Sequence, residues 1–158
     1  MKQRINVYEK GMRAMKVLYG VGQATNHSTV DKTIFELIFT RVSQINGCAY
    51  CLEGDAGKLR EKSESLQRLF LLDAWRETAL YTGKERAALA WAEALTILKD
   101  GVPDEVYANA KAQFTDEELI DITMAVITIN AYNRVNITFR VQPGAHAAVV
   151  AASQAQVQ

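Results

Sequence analysis

Two cysteines are the residues of this chain whose type and spacing most directly suggest chemistry. Cys48 and Cys51 are the only cysteines among 158 residues, and they form a Cys-Ala-Tyr-Cys motif. Side chains three residues apart on a helix project from the same side, where two thiols can form a disulfide after modest adjustment. A helix that begins here would favour the thiolate, which is the nucleophilic form of cysteine. The pair therefore indicates a reversible dithiol–disulfide cycle.

Three other interpretations of the motif remain open. A zinc site needs further ligands, but the sequence has no second CxxC, and its two histidines, His27 and His146, are isolated. A thioredoxin-like redox site would lie in a βαβ unit, and the sequence shows no strand pattern. Buried cysteines can also be inert packing residues. We expect neither a metal ion nor an organic cofactor.

The composition is that of one ordinary globular domain. Hydrophobic residues make up 49% of the chain and charged residues 23%, and there are only two prolines. Eighteen basic residues balance eighteen acidic ones, so the formal net charge is zero. No basic stripe is therefore expected to bind nucleic acid or an anionic membrane surface.

The chain also lacks sequence signals for a membrane or for secretion. No stretch approaches the roughly 20 apolar residues that span a bilayer, and the first 19 residues lack the apolar core of a signal peptide. We therefore expect a cytoplasmic protein. Cytoplasmic thiols are kept reduced, so the cysteine pair is not expected to be a structural disulfide.

The elements that must position the cysteines are predicted to be helices. Two capping boxes mark helix starts: Thr82 with Glu85 opens a helix over about residues 84–99, and Thr115 with Glu118 opens one that reaches about residue 138. Further helices are predicted over about residues 6–23 and 103–113. No hairpin pattern is present. The fold class is therefore all-α, with about six to seven helices.

The helices around the cysteines are predicted from caps and breaks. Ser28 and Asp31 precede an apolar-periodic helix that ends at Asn46-Gly47, where Gly47 supplies a left-handed residue. A new helix can begin at once, with Cys48 in its first turn, and run to about residue 61. Serines at 63 and 65 can cap another helix over about residues 66–75. We predict one domain over residues 1–144 and a flexible C-terminal tail over residues 145–158.

One long run of residues resembles a known family. Glu36-Leu37, followed by Arg41-Val-Ser-Gln-Ile-Asn-Gly-Cys-Ala-Tyr-Cys51, closely resembles the alkylhydroperoxidase-like (AhpD-like) branch of the carboxymuconolactone decarboxylase family. The resemblance continues through residues 72–77, 88–95 and 130–134, and it covers about residues 5–144 in one register.

This resemblance implies an all-helical AhpD-like fold, assembled as a homotrimer or homohexamer, with a peroxidase or disulfide-reductase site at the CxxC. By position, it makes Cys51 the thiol that attacks a hydroperoxide, Cys48 the resolving thiol and Glu36 the proton-relay glutamate. In the implied cycle, Cys51 becomes a sulfenic acid and condenses with Cys48. An external dithiol or protein reductant must then reopen the disulfide.

Glu36 is unusual without the resemblance as well. Apolar residues at positions 35 and 37–39 surround it on a helix that must be largely buried, and a buried carboxylate needs a partner. One interpretation is an ordinary ion pair with Lys32, one turn earlier. The other is proton transfer, because burial raises the pKa of a carboxyl group toward values useful for it.

The sequence departs from the family pattern at Asp55. The family has a histidine four residues after the second cysteine, and an imidazole there can take up the thiol proton and stabilise the thiolate. An ionised Asp55 would instead repel the thiolate and raise the pKa of Cys51, which predicts a slower peroxidase.

Several residues are candidates to compensate for the missing histidine. Lys58 or Arg60 could offset the charge of Asp55, and His27 or His146 could reach the site from elsewhere. Tyr50, between the cysteines, could donate a hydrogen bond or simply pack.

The sequence therefore favours a thiol-dependent peroxidase that acts on organic or hydrogen peroxide through Cys51 and Cys48, with Glu36 and Asp55 handling protons. The alternative is a non-enzymatic oligomer that senses redox state or binds a partner. Lactone decarboxylation is less favoured, since the decarboxylase members of the family generally lack the CxxC pair.

Overall fold

Eight α-helices make up most of the chain that the structure describes. The computed structural model describes residues 1–61 and 65–144, and it contains no strand within those ranges. The predicted all-helical class is confirmed, with one or two helices more than expected. The helices follow one another as α1 (Val7–Lys10), α2 (Met12–Gln23), α3 (Lys32–Asn46), α4 (Ala49–Glu61), α5 (Leu66–Leu71), α6 (Gly83–Ile97), α7 (Asp104–Lys111) and α8 (Asp116–Phe139).

Both predicted capping boxes are present. The Thr82 hydroxyl accepts from the Glu85 amide at 3.3 Å, and the Glu85 carboxylate accepts from the Thr82 amide at 2.7 Å. Thr115 and Glu118 make the same pair of bonds at 3.2 and 3.0 Å. These bonds satisfy amides that have no partner within the helix, so α6 and α8 begin where the sequence predicts.

The turn that leads to the cysteines also follows the prediction. The Asp31 side chain caps α3 by accepting from the Thr33 amide at 2.6 Å, and Gly47 ends the helix with a φ of 68°. That left-handed conformation favours glycine, which has no Cβ. Helix α4 begins one residue after Cys48, so this cysteine flanks the first turn instead of lying in it.

Two predicted helices are interrupted. The helix predicted over residues 6–23 breaks at Gly11, where an added Cβ would approach the Val7 carbonyl oxygen to 2.7 Å. The helix predicted over residues 66–75 is capped by Ser65 but ends at Leu71 and continues as a 3-10 segment, Leu72–Glu77. A second 3-10 segment, Ala24–His27, follows α2.

Helix α3 lies at the centre of the domain and packs against α4, α6 and α8. Its fully buried Ile38 and Val42 meet apolar residues of those helices in one main core. A smaller cluster gathers α4, α6 and the 3-10 segment around residues that include Leu37, Leu59, Leu72, Trp75 and Leu89. Asn46, the last residue of α3 before this turn, forms hydrogen bonds with Asn130 and Asn133 of α8.

The Glu93 carboxylate of α6 ties the second cluster together. It accepts from Arg41 Nε at 2.7 Å and from Trp75 Nε1 at 2.9 Å, and its other oxygen pairs with Arg76. Burial opposes ionisation of Glu93, but these three hydrogen bonds outweigh burial and hold its pKa below the ordinary value. Helices α3 and α6 and the 3-10 segment are therefore joined by one charged group.

Some predictions fall outside the described residues. The proposed tail at residues 145–158, including His146, and the serine at position 63 lie there, as do the side chains of Lys58 and Arg60. None of the described helices is both long and apolar enough to span a bilayer.

Candidate functional site

The two cysteines meet at the start of α4, as their spacing predicts. Their sulfur atoms form a disulfide, and their Cα atoms are 5.3 Å apart. Cys48 is 1% exposed and Cys51 is 6% exposed, so the bond lies just beneath the surface. The internal disulfide expected of the CxxC motif is therefore present.

Cys48 occupies the capping position of α4. Its sulfur accepts from the Cys51 amide at 3.3 Å, and its carbonyl oxygen accepts from the Leu52 amide at 2.9 Å. A side chain that accepts from the third amide of a helix takes the role usually played by Ser, Thr or Asp. The amide and the helix dipole both favour negative charge on the Cys48 sulfur when the disulfide is open.

The Cys51 sulfur receives a hydrogen bond from another helix. Asn136, on α8 and 4% exposed, donates from Nδ2 to Cys51 Sγ at 3.4 Å. The Asn136 Oδ1 atom in turn accepts from the Tyr8 hydroxyl of α1 at 2.8 Å. No local sequence pattern points to either residue, because Tyr8 and Asn136 lie 128 residues apart and Asn136 lies 85 residues from Cys51.

Tyrosines surround this hydrogen-bonded chain. The rings of Tyr8 and Tyr50 lie 5.9 Å apart, and their hydroxyls also share a hydrogen bond. Burial, followed by the nearby Tyr50, raises the pKa of Tyr8 far above its ordinary value, and burial raises the pKa of Tyr19 to about 12. These hydroxyls therefore stay protonated, and able to donate, at neutral pH.

Asp55 is buried one turn after Cys51 and faces α3. It is 7% exposed, and its Oδ2 atom accepts from the Ser43 hydroxyl at 3.3 Å. Asn133 of α8 donates to the Ser43 oxygen at 3.0 Å, which directs the hydroxyl proton toward the carboxylate. Asp55 is therefore built into a polar contact between α3, α4 and α8.

Three asparagines of α8 line this contact. Asn46, the last residue of α3, donates to Asn130 Oδ1 at 3.0 Å and to Asn133 Oδ1 at 2.8 Å. Asn130, Asn133 and Asn136 lie at positions i, i+3 and i+6 of α8. Three asparagines at helical spacing in a largely apolar helix are a sequence signal for a buried polar contact, because buried amides need hydrogen-bond partners.

The other predicted site residues include Glu36 and His27, for which the structure gives a position and a degree of burial. Glu36 lies half-buried on α3, twelve residues before Cys48. His27 is exposed at the end of the Ala24–His27 segment. The roles of Glu36 and Asp55 in proton transfer stay predictions. Within residues 1–61 and 65–144, no group of three or more His, Cys, Asp or Glu side chains could hold a metal ion.

Comparison of the sequence with known proteins gives a consistent result. A sequence model described as the carboxymuconolactone decarboxylase family matches residues 13–94. The uncharacterized protein YdfG of Bacillus subtilis (strain 168) is 36% identical over 138 residues, which cover 87% of this chain and 94% of YdfG. The alkyl hydroperoxide reductase AhpD of Nocardia farcinica (strain IFM 10152) is 40% identical over 65 residues, covering 41% of this chain and 35% of that protein.

Solved structures share the fold. A protein of unknown function from Agrobacterium tumefaciens, for which a role as the antioxidant defence protein AhpD has been suggested, superposes with a TM-score of 0.86 at 36% identity. The match covers 90% of this chain and 98% of that one. An uncharacterized peroxidase-related protein from Silicibacter sp. TM1040 gives a TM-score of 0.75 at 23% identity, covering 85% and 72% of the two chains.

Proposed function

Since the chain belongs to the carboxymuconolactone decarboxylase family, in its AhpD-like branch, we propose that it is a thiol-dependent peroxidase. It reduces organic or hydrogen peroxide through a dithiol–disulfide cycle of Cys48 and Cys51. The observation that carries the proposal is the CxxC at the start of α4, with its sulfurs bonded and a hydrogen-bond donor directed at each.

The first half of the proposed cycle oxidises Cys51. Its thiolate attacks the terminal oxygen of a hydroperoxide, so an S–O bond forms as the O–O bond breaks. The leaving alkoxide takes up one proton and departs as an alcohol, or as water when the substrate is hydrogen peroxide. Cys51 is left as a sulfenic acid. We assign the supply of this proton to Glu36, and Asp55 is the candidate acceptor of the Cys51 thiol proton.

The second half closes and reopens the disulfide. The Cys48 thiolate attacks the Cys51 sulfenic sulfur, an S–S bond forms, and the hydroxyl group leaves as water after gaining a proton. An external dithiol or protein reductant then supplies two electrons and two protons, which restores both thiols. Reductants of this kind keep thiols reduced in the cytoplasm, and we propose that the reaction takes place there.

The local contacts support different roles for the two sulfurs. Cys51 is the more exposed of the pair, and its donor comes from a side chain of α8. Cys48 is nearly fully buried, and its sulfur is held by the amide of Cys51. The greater exposure of Cys51 supports its assignment as the thiol that reacts with peroxide, and Cys48, which is bonded to it here, is placed to condense with the oxidised sulfur.

Turnover measurements on serine variants test this function. We expect the unmodified protein to consume an organic hydroperoxide continuously with a small dithiol as reductant. Cys51→Ser should stop both turnover and sulfenic acid formation. Cys48→Ser should form the sulfenic acid on Cys51 once, without forming the internal disulfide. Full peroxidase activity in Cys51→Ser would reject the assignment of roles.

Asp55 favours a second candidate, a non-enzymatic oligomer whose cysteines sense redox state slowly. Its buried carboxylate lies one turn from Cys51, where negative charge opposes thiolate formation. This candidate predicts normal assembly with little catalysis, so rapid turnover with a dithiol would reject it. An activity that survives replacement of both cysteines by serine would instead point to the lactone decarboxylase chemistry of the wider family.

We also propose that the protein assembles as a homotrimer or homohexamer. Helix α8 turns an apolar stripe toward solvent: Ile120 is 62% exposed, Ile127 is 52% exposed, and the half-buried Met124 lies between them. Residues spaced by four and three lie along one face of a helix, so the stripe is continuous and suits contact with a second copy.

A further inference from the structure

The side chain of Asn136 stands where a donor to the Cys51 sulfur is required. Its Nδ2 atom lies 3.4 Å from Cys51 Sγ, and its Oδ1 atom lies 2.8 Å from the Tyr8 hydroxyl. We propose that Asn136 is the catalytic donor that stabilises the Cys51 thiolate, and that Tyr8 is the positioning residue that holds the Asn136 amide in place. The catalytic consequence rests on the proposed peroxidase function, but the effect on the thiol does not.

The chemistry of the open dithiol fixes the orientation of the Asn136 amide. An asparagine carries a donor on one side and an acceptor on the other. If the amide were reversed, its oxygen would face the negatively charged sulfur and repel it. With Nδ2 toward Cys51, the oxygen faces a tyrosine hydroxyl that remains protonated and can donate. The observed arrangement therefore satisfies both ends of the amide.

The positions of both partners are fixed by the surrounding fold. Asn136 is 4% exposed on the last long helix, where a buried amide without partners would be costly. Tyr8 is held close by because the N-terminal segment is tied to the end of α8. The Arg4 amide donates to the Phe139 carbonyl at 2.9 Å, and its guanidinium donates to the Thr138 carbonyl at 3.0 Å.

The charges around the sulfur make such a donor useful. Two carboxylates belong to the helices that form the site, Asp55 on α4 and Glu36 on α3. Asp55 lies one turn after Cys51, where an ionised carboxylate disfavours a thiolate. The phenols of Tyr8 and Tyr50 are uncharged at neutral pH. A neutral amide donor offsets this negative charge without a proton of its own to lose, so the alkylation rate of Cys51 should rise with pH in a single step. A histidine donor would add a second step.

The Cys51 thiol can be titrated without peroxide. In the full-length Cys48→Ser variant, the rate of alkylation of Cys51 by iodoacetamide is followed against pH. We expect Asn136→Ala to raise the pKa of Cys51 by about one unit. Asn136→Asp, which keeps the shape but replaces the donor with an acceptor, should raise it further. Tyr8→Phe should move it in the same direction by less.

A matched control separates this effect from general loosening of α8. Thr128→Ala removes a buried polar group of the same helix, whose hydroxyl donates to the Met124 carbonyl at 2.8 Å. It should lower stability but leave the Cys51 titration unchanged. Tyr8→Phe removes a single hydroxyl and should fold, so its effect on the pKa of Cys51 can be measured even if the Asn136 variants fail to fold.

Two results would overturn the proposal. In the first, Asn136→Ala and Asn136→Asp are folded by circular dichroism, and Cys51 titrates in them as it does in the parent Cys48→Ser protein. The other is a Thr128→Ala shift in the pKa of Cys51 as large as theirs. If the Asn136 variants shift the pKa while the unmodified protein does not reduce peroxide, the thiolate donor stands and the proposed function fails. The two proposals are therefore tested separately.

Discussion

At the scale of single residues, the chemistry of this site rests on two sulfurs that each receive a hydrogen bond. Cys48 accepts from an amide three residues ahead in sequence, and Cys51 accepts from Asn136 on a distant helix. The sequence predicts that a helix begins at the CxxC and that its free amides favour a thiolate, but it places Cys48 one residue too far into the helix. The contact from Asn136 depends on how α8 packs against α4, and no local pattern encodes it. Asp55 was recognised by its position, but its bond to Ser43 was not.

The charge of Asp55 is predicted to slow the reaction. Asp55→Asn removes that charge but keeps an oxygen that can accept from Ser43, so the packing is preserved. We expect the pKa of the Cys51 thiol to fall by about one unit, because a nearby negative charge no longer opposes the thiolate. Alkylation rates against pH in the Cys48→Ser background measure the shift.

Asp55→His should act in the same direction and also speed the reaction with peroxide. Ser43→Ala serves as the control, because it removes the donor and leaves the charge. It should leave the pKa of Cys51 unchanged or raise it. A titration that Asp55→Asn does not alter would show that position 55 does not control the thiol.

At the scale of helices, the local signals predict most of the fold. Capping boxes, the Asp31 cap and the left-handed Gly47 lie within a few residues of the ends that they define. The break at Gly11 and the 3-10 segment Leu72–Glu77 were not predicted. That segment carries Trp75 and Arg76 to Glu93, so a tertiary ion pair, and not local propensity, holds its shape.

Glu93→Gln should destabilise the protein at neutral pH by about 2 to 3 kcal/mol, because it leaves Arg41 and Arg76 facing a neutral group. The pKa of Glu93 in the folded protein is lowered from its ordinary value of 4.5. The contribution of Glu93 to the free energy of unfolding is therefore complete above pH 4.5, and it is lost as the pH falls through the folded-state pKa. Urea unfolding at several pH values should show the two proteins converging in acid.

The exposed Glu77 provides the comparison for this prediction. Glu77→Gln changes the same charge near the same segment, and we expect a negligible change in the free energy of unfolding. A Glu93→Gln protein as stable as the parent at neutral pH would show that the ion pair does not hold the segment.

The start of α8 offers a test that should leave the thiols untouched. Thr115→Ala removes the cap and should cost about 1 kcal/mol of stability, whereas Thr115→Ser keeps a hydroxyl and should cost less. Thermal unfolding measures both. The pKa of Cys51 should not change, since Asn136 lies at the other end of the helix. Equal stability of the two variants would argue against the cap.

At the scale of the whole molecule, the apolar stripe of α8 is predicted to be covered by another copy. Ile127→Asp places a charge in the middle of the stripe, and we expect the assembly to shift to smaller species by analytical ultracentrifugation. Val17→Asp is the matched control, because Val17 is an equally apolar residue, 72% exposed, on α2. Assembly that Ile127→Asp leaves intact would place the subunit contact elsewhere.

If this fold makes the CxxC pair reactive toward peroxide, the reduced, unmodified protein should show it without any substitution. The protein is fully reduced and mixed with a small excess of an organic hydroperoxide. Conversion to the internal disulfide is then followed by intact mass against time. We predict conversion much faster than the reaction of a free cysteine thiol at the same pH. Conversion no faster than that of the free thiol would reject the proposed peroxidase function and leave Cys48 and Cys51 as a slow thiol switch.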